Sequence, residues 1–331
     1  MVDVAALDCP AMVFPGQGSQ GSGMGSAWRR DPAWVIVEEA QEALHRYLEP
    51  MLTDPLTAPT STTDTQLAVV LCSMMSWRAL APAVAAIAPP RHLLAGHSLG
   101  LVSALQAAGV LTVAQTVQVV ALRARLTETA CDGTGGMTAL MLGVKEAAKA
   151  CGTTTACWVA NDNAPLQTVI AGTLGSLRAA EAAAVELGAE DVAPLSVAGP
   201  FHTPLMSAAS EAFRSGLADI PFARSNATLV HNGHVHEVGA TSGEQWRELV
   251  SADLCAPVLW RDTQQSLARL GADCVVETGY GRTLTGLAKR TLGMRRLYNA
   301  TAPAACAAVA ALLGESHDAC PPPRPQRHGA Q

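Results

Sequence analysis

Residues 92–101 read His92-Leu93-Leu94-Ala95-Gly96-His97-Ser98-Leu99-Gly100-Leu101. A short apolar run stops at a glycine, and a helical pattern, Leu101 to Ala108, opens just past a second glycine. Bare G-x-S-x-G arises by chance in a chain with 28 glycines; the strand before this one and the helix after it set it apart. A reversal this tight needs glycine on both sides of the central residue. It lifts the serine Oγ above a sheet and leaves the next N–H groups at a helix N-terminus, where developing negative charge is favoured. Ser98 is therefore the candidate nucleophile, and the fold around it is expected to be α/β.

Upstream, Met12-Val13-Phe14 reads as a buried strand stopped by Pro15-Gly16. Phe14 to Gly21 contains G-x-G-x-x-G at 16, 18 and 21, the spacing of a dinucleotide loop. The residues that follow, Ser22-Gly23-Met24-Gly25 and then Pro32, deny a pyrophosphate the helix it needs. A loop that lends backbone N–H groups to another site fits better. Trp34–Leu48, Thr65–Leu80 and Val113–Glu128 have helical patterns, and Leu52–Asp64 reads as loop.

Beyond Gly-rich Cys131–Gly136 the pattern changes. Strands are expected at Met137–Val144, Cys157–Ala160, Thr168–Ala171 and Val192–Val197, with helices at Lys145–Cys151 and Leu174–Leu187. This β-α-β-β-α-β order is ferredoxin-like. Helix, strand, helix, helix, strand and helix then follow to Leu292. The expected organisation is a discontinuous hydrolase-like α/β domain (1–130 and 203–314), an inserted ferredoxin-like subdomain (131–202) and a disordered Pro-rich tail (315–331).

Of the 331 residues, 49% are hydrophobic and 15% charged, which supports a large core and excludes wholesale disorder. A net charge of −6 argues against a nucleic-acid binder. Met1–Pro10 has no basic residue, unlike a signal peptide. The longest apolar stretches, Leu67–Trp77 and Ala302–Leu313, fall short of the ~20 residues that span a bilayer. Nine cysteines without Cys-x-x-Cys suit reduced thiols in a cytoplasm. His231, His234 and His236 with Glu237 form a histidine-rich turn, read as solvated side chains and not as a metal site.

A nucleophilic serine needs a base. His97, inside the elbow, is expected to point away from Ser98 Oγ, and His92 falls on the preceding strand. His202, in Gly199-Pro200-Phe201-His202-Thr203-Pro204-Leu205-Met206, lies between a strand and a helix and is the best candidate. More than a hundred residues follow it, whereas an ordinary α/β-hydrolase has its histidine near the C-terminus.

Phe14–Gln20, Gly96–Gly100, Leu122–Arg125, Asn161–Gly172, Gly199–Met206 and Gly279–Arg290 occur in the order seen in malonyl-CoA:acyl-carrier-protein transacylases. From Phe14 to about Leu313 the chain resembles that family, which includes the acyltransferases of fatty-acid and polyketide biosynthesis. The resemblance implies an α/β core with a ferredoxin-like subdomain and a ping-pong reaction. Ser98 would take the acyl group from a thioester with His202 as base, and the N–H groups of Gln17 and Leu99 would hold the oxyanion. The acyl group would pass to the phosphopantetheine thiol of an acyl carrier protein; the enzyme itself, expected to be a monomer, would bind no cofactor or metal.

The resemblance also gathers Arg123, Phe201, His97, Leu101 and Asp253 about the substrate. Arg123 falls where the family pairs an arginine with the malonyl carboxylate, a task its planar fork suits; Val119, Val120 and Leu122 beside it argue for burial. Phe201 resembles malonyl-type members. Leu101 stands where the family usually has Glu, and Asp253 where it usually has Gln. Asp253 would repel malonate and hold an amine, or else orient His202. Malonyl is thus the first choice, with an aminoacyl or dipeptidyl group moved between carrier proteins as the alternative. A carrier-protein thioesterase is a third reading, disfavoured by Arg123. Arg282, Lys289, Arg290, Arg295 and Arg296 form the expected basic docking face for an acidic carrier protein.

Overall fold

The computed structural model describes residues 9–87, 92–131, 133–197 and 199–314. The expected tail, 315–331, lies outside them.

The chain opens with β1 (Pro10–Phe14), two short 3-10 turns, α1 (Val35–Leu44), α2 (Glu49–Thr53) and α3 (Thr62–Ala85). Next come β2 (Leu93–Gly96), α4 (Gly100–Ala107) and α5 (Val113–Ala130). A second unit follows: β3 (Gly135–Leu140), α6 (Val144–Cys151), β4 (Cys157–Ala164), β5 (Gln167–Thr173), α7 (Leu174–Glu186) and β6 (Val192–Pro194). The chain then returns through α8 (Ser207–Gly216), β7 (Thr228–His231), β8 (His234–His236), α9 (Gly243–Ala252) and α10 (Trp260–Arg269). It closes with β9 (Cys274–Thr278), α11 (Thr283–Leu292), β10 (Leu297–Ala300) and α12 (Pro303–Gly314).

The large sheet has the order β10-β9-β1-β2-β7-β8 and is parallel except for β8, which folds back on β7 as a hairpin. Its central strands β9, β1 and β2 are wholly buried, as continuous apolar runs covered on both faces must be. The small sheet, β4-β5-β3-β6, is antiparallel with ferredoxin-like order. One of its faces packs under α6 and α7 around Leu140, Ile170 and Leu177. The other carries Met137, Val169, Phe201 and Met206. The two units are joined where Val258 bridges β4, exchanging hydrogen bonds with Ala160 and Asp162 at 2.8 and 2.9 Å. Arg261 of α10 closes the joint with two bonds to Asp162 Oδ2, at 3.0 and 2.7 Å.

Three sequence expectations change. The loop read at 52–64 contains the end of α2 and the start of α3, whose N-cap Ser61 accepts from the Asp64 N–H. The apolar run read as too short for a bilayer belongs to a 24-residue helix that is long and apolar enough to cross one, yet 67% of its most apolar window is buried inside the protein. It packs against α5 and α12 as a core helix. Strands β8 and β10 had no counterpart in the sequence reading.

Candidate active site

Backbone collisions force the elbow. A Cβ on Gly96 would lie 2.1 Å from the Gly100 carbonyl, and one on Gly100 would lie 2.0 Å from Phe14 O. Ser98 itself takes φ 51°, a left-handed conformation costly for a residue with a side chain. The His97 N–H donates to Phe14 O at 3.0 Å, pinning the turn to the end of β1. The loop after β1 then lies against it: a Cβ on Gly16 would meet His97 O at 2.6 Å and Leu99 N at 3.7 Å. Gln17 and Leu99 thereby line the same cleft, of about 440 Å³, as Ser98. Among the described residues neither of their N–H groups donates to a protein acceptor.

His202 also has positive φ, 61°. Its own N–H donates to Leu254 O at 3.0 Å. Its Nδ1 lies 2.7 Å from Asp253 O and 3.1 Å from Ala256 O. Carbonyls only accept, so Nδ1 carries the proton and Nε2 is the open lone pair. Nε2 lies 2.7 Å from Ser98 Oγ, which donates to it. Burial holds the His202 pKa below the usual histidine value; Asp253 raises it in part and Arg123 lowers it further.

Arg123 sits three turns into α5, which begins at a capping box formed by Thr112 and Gln115. It is 6% exposed. Nη1 donates to Gln66 Oε1 at 2.8 Å and Nη2 to Ser98 Oγ at 3.3 Å. Burial pulls its pKa down to about 10, against the nearby Asp253 carboxylate, which raises it. Among the described residues no carboxylate lies at ion-pair distance from it. His97 lines the cleft too, its Nε2 bonded to Asn163 Oδ1 at 2.8 Å and its ring edge-on to Trp260. Phe201 joins Met137, Ala139, Val169 and Val197 in an apolar wall.

Two expected substrate contacts are placed elsewhere. Leu101 is in the core of the large unit, 1% exposed, because it starts the buried helix behind the elbow. Asp253 is buried beneath His202, with Oδ1 3.5 Å from His231 Nε2, and does not line the cleft. The docking face divides as well. Strand β9 runs toward the cleft, where Gly281 touches Ser19, and Thr283, Leu284 and Leu287 line the cleft wall. Helix α11 therefore runs away from it. Arg282 is exposed at the helix start, whereas Lys289 and Arg290 lie roughly 10 Å further along the axis. Arg295 follows the helix, and Arg296 approaches Asp273 at 3.5 Å, ahead of β9 at the far edge of the sheet. Of the five, Arg282 adjoins Thr283 of the cleft wall, and Lys289 lies two residues beyond Leu287.

Among the described residues no group of three histidine, cysteine or acidic side chains could hold a metal ion. His236 bonds Thr241 Oγ1 at 2.9 Å and stacks on Trp246, and its pKa is lowered to about 4 by burial and by His231 and His234. Gln66 and Asn163 escaped the sequence reading. The first had a weak signal, an amide heading the apolar run of α3; the second lay unremarked inside the Asn161–Gly172 motif.

A serine hydroxyl bonded to an uncharged-leaning imidazole can accept and release acyl groups, and this fold with its inserted subdomain is that of acyltransferases. The family described as acyl transferase domain matches residues 11–319, and the chain belongs to it. It is 35% identical to the malonyl CoA-acyl carrier protein transacylase of Salmonella typhimurium over 90% of this chain and 98% of that protein. The crystal structure of an acyl-carrier-protein S-malonyltransferase from Burkholderia pseudomallei superposes with a TM-score of 0.85 at 32% identity, over 92% of this chain and 99% of that one. A malonyl-transacylase in complex with a type II PKS acyl-carrier protein gives 0.84 at 31% identity, over 92% and 99%.

Proposed function

We propose that the chain is a malonyl-CoA:acyl-carrier-protein transacylase that works through an acyl-Ser98 intermediate and supplies fatty-acid or polyketide synthesis in the cytoplasm. The observation that carries the reading is Arg123: a buried guanidinium 3.3 Å from the candidate nucleophile, with no protein carboxylate in ion-pair reach among the described residues. A buried cation is costly unless an anion meets it, and the free carboxylate of a malonyl group is such an anion.

In this mechanism His202 Nε2 removes the Ser98 proton as Oγ attacks the thioester carbonyl. The Gln17 and Leu99 N–H groups receive the oxyanion. Collapse expels the CoA thiolate, which takes the proton from His202. The phosphopantetheine thiol of the carrier protein enters next, loses its proton to His202 and attacks the acyl-serine. The malonyl group leaves as a thioester on the carrier, and Ser98 Oγ regains its proton from His202.

An amine-bearing acyl group loses its main support, since the Asp253 carboxylate, the proposed amine partner, lies outside the cleft. The test is incubation of the enzyme with labelled malonyl-CoA and a holo carrier protein. Malonyl-carrier is the expected product, and intact-mass analysis should find a malonyl adduct on wild type and none on Ser98→Ala. Arg123→Ala should depress malonyl transfer by about two orders of magnitude or more and spare acetyl transfer. Free malonate as the only product, or no adduct on wild type, overturns the reading.

A further inference from the structure

We propose that Cys151 and Cys157 are a reversible dithiol–disulfide pair: a peroxide oxidises them to a disulfide that ties α6 to β4 and stabilises the ferredoxin-like subdomain. The proposal is independent of the reading of Ser98 and His202.

Cys151 is the last residue of α6 and Cys157 the first of β4. Their sulfurs lie 3.5 Å apart, and either thiol can donate to the other. A disulfide needs about 2.05 Å between sulfurs, a closure that small rotations of the two side chains supply. The backbone holds both ends in place. Thr153 Oγ1 donates to Ala150 O at 2.7 Å and Thr154 Oγ1 to Cys151 O at 3.2 Å, which ties the turn to the end of the helix. Cys157 is paired with Gly172 of β5, where an added Cβ would lie 2.8 Å from Cys157 Cα. Cys72 and Cys306 differ: in the core of the large unit, each donates its thiol to a main-chain carbonyl, of Met24 and Ser76.

The surroundings suit oxidation of the pair. Each cysteine is 5% exposed, and the turn between them presents Gly152, Thr153 and Thr155 to solvent, so the oxidant has to be no larger than a peroxide. The sulfurs belong to the apolar core under α6 and α7, with Leu140 and Ile170, and not to the opposite face of the small sheet, which carries Met137 and Val169 of the cleft wall. A disulfide adds no polar group to that core. The hydrogen bond between the thiols holds Cys151 below the usual thiol range and pushes Cys157 up, which favours Cys151 as the attacking thiolate. Its sulfur bonds to one peroxide oxygen, the O–O bond breaks, and the departing hydroxide takes up the thiol proton as water. Cys157 Sγ then attacks the sulfenic sulfur. The S–O bond breaks, and the hydroxyl leaves with the Cys157 proton as a second water. Two thiols have lost two electrons and two protons, and one peroxide has become two waters. A small dithiol reverses the bond by exchange.

The test treats reduced full-length enzyme with a few equivalents of hydrogen peroxide, alkylates the remaining thiols and weighs the tryptic peptides. Cleavage after Lys149 and Arg178 gives a single peptide that carries both cysteines. It should escape alkylation and weigh two hydrogens less than its reduced form, and dithiothreitol should restore both thiols. The oxidised enzyme should melt about 3 °C or more above the reduced enzyme. The rise should vanish in Cys157→Ala, or in Cys151→Ala if only that variant folds. Alkylation of both thiols after peroxide treatment, or their passage to sulfinic and sulfonic acids with no loss of two hydrogens, overturns the pair. A disulfide that leaves the melting temperature unchanged overturns its stabilising role.

Discussion

Gln66 of α3 and Arg123 of α5 are tied by a 2.8 Å hydrogen bond between two helices that pack side by side. One end of the guanidinium is committed to that amide, so the other, Nη2, is left facing Ser98 Oγ. The tie decides which nitrogens remain for a substrate carboxylate.

Gln66→Met keeps the volume and removes the acceptor. Loss of a hydrogen bond to a charged group costs about 1.5–3 kcal/mol, so the KM for malonyl-CoA should rise roughly tenfold to a hundredfold. Acetyl-CoA, with no carboxylate to place, should be handled as before. Steady-state kinetics with both esters measure the contrast; equal losses on the two would show that Gln66 serves packing alone.

The pH profile follows from the burial of His202. Its charged form is disfavoured, so its pKa lies below the ordinary 6.5. The base form is the active one, so acylation is at full rate above the lowered pKa and is lost as pH falls through it. The rate constant for acylation by malonyl-CoA should be flat from neutral pH down past 6.5 and then drop tenfold per unit. A midpoint at or above 6.5 contradicts this. His202→Ala should lower the plateau by about 10²–10⁴-fold.

Gly16→Ala tests the loop that rests on the elbow. The added methyl meets His97 O at 2.6 Å, a backbone atom that cannot swing aside. The loop must lift, carrying the Gln17 N–H away from Leu99. Acylation should fall by about 10²-fold, the usual cost of losing one oxyanion donor. Full activity in this variant would remove Gln17 from the oxyanion site.

Carrier docking should depend on Arg282 and not on the far end of α11. Arg282→Glu should raise the apparent KM for carrier protein several-fold and leave acylation by malonyl-CoA unchanged. Lys289→Glu and Arg290→Glu should alter neither. A carrier KM that responds to Lys289 or Arg290 would place the partner on the opposite edge of the sheet.

That division shows where sequence reading reached its limit. The elbow was legible because Gly96 and Gly100 punctuate a strand and a helix within five residues. The α/β core and the ferredoxin-like insert were legible from alternating patterns with Gly and Pro between them. Strand β10 was not: Leu297–Ala300 is a half-buried edge strand containing Asn299, with no run of apolar residues to mark it. The basic cluster after Arg282 looked continuous along the chain. Its separation arises only from the direction of a helix in a parallel sheet, which sequence does not display. Gln66 and Asn163 are found through partners 57 and 66 residues away, beyond the reach of any local pattern. Asp253 was noticed as unusual, yet the direction of its side chain, toward His231 at the end of β7, leaves no local mark in the sequence.

The joint between the two units, where Val258 and Arg261 clasp β4, has an evolutionary corollary. The reactive serine rides on one unit, and much of the apolar wall, Met137, Ala139 and Val169, rides on the other. A mutation along β3 or β5 alters the shape offered to an acyl chain without disturbing an elbow that tolerates not one added methyl. If Ser98 is the nucleophile, reactivity and the shape of the acyl wall lie on separate parts of the chain, each open to change without the other.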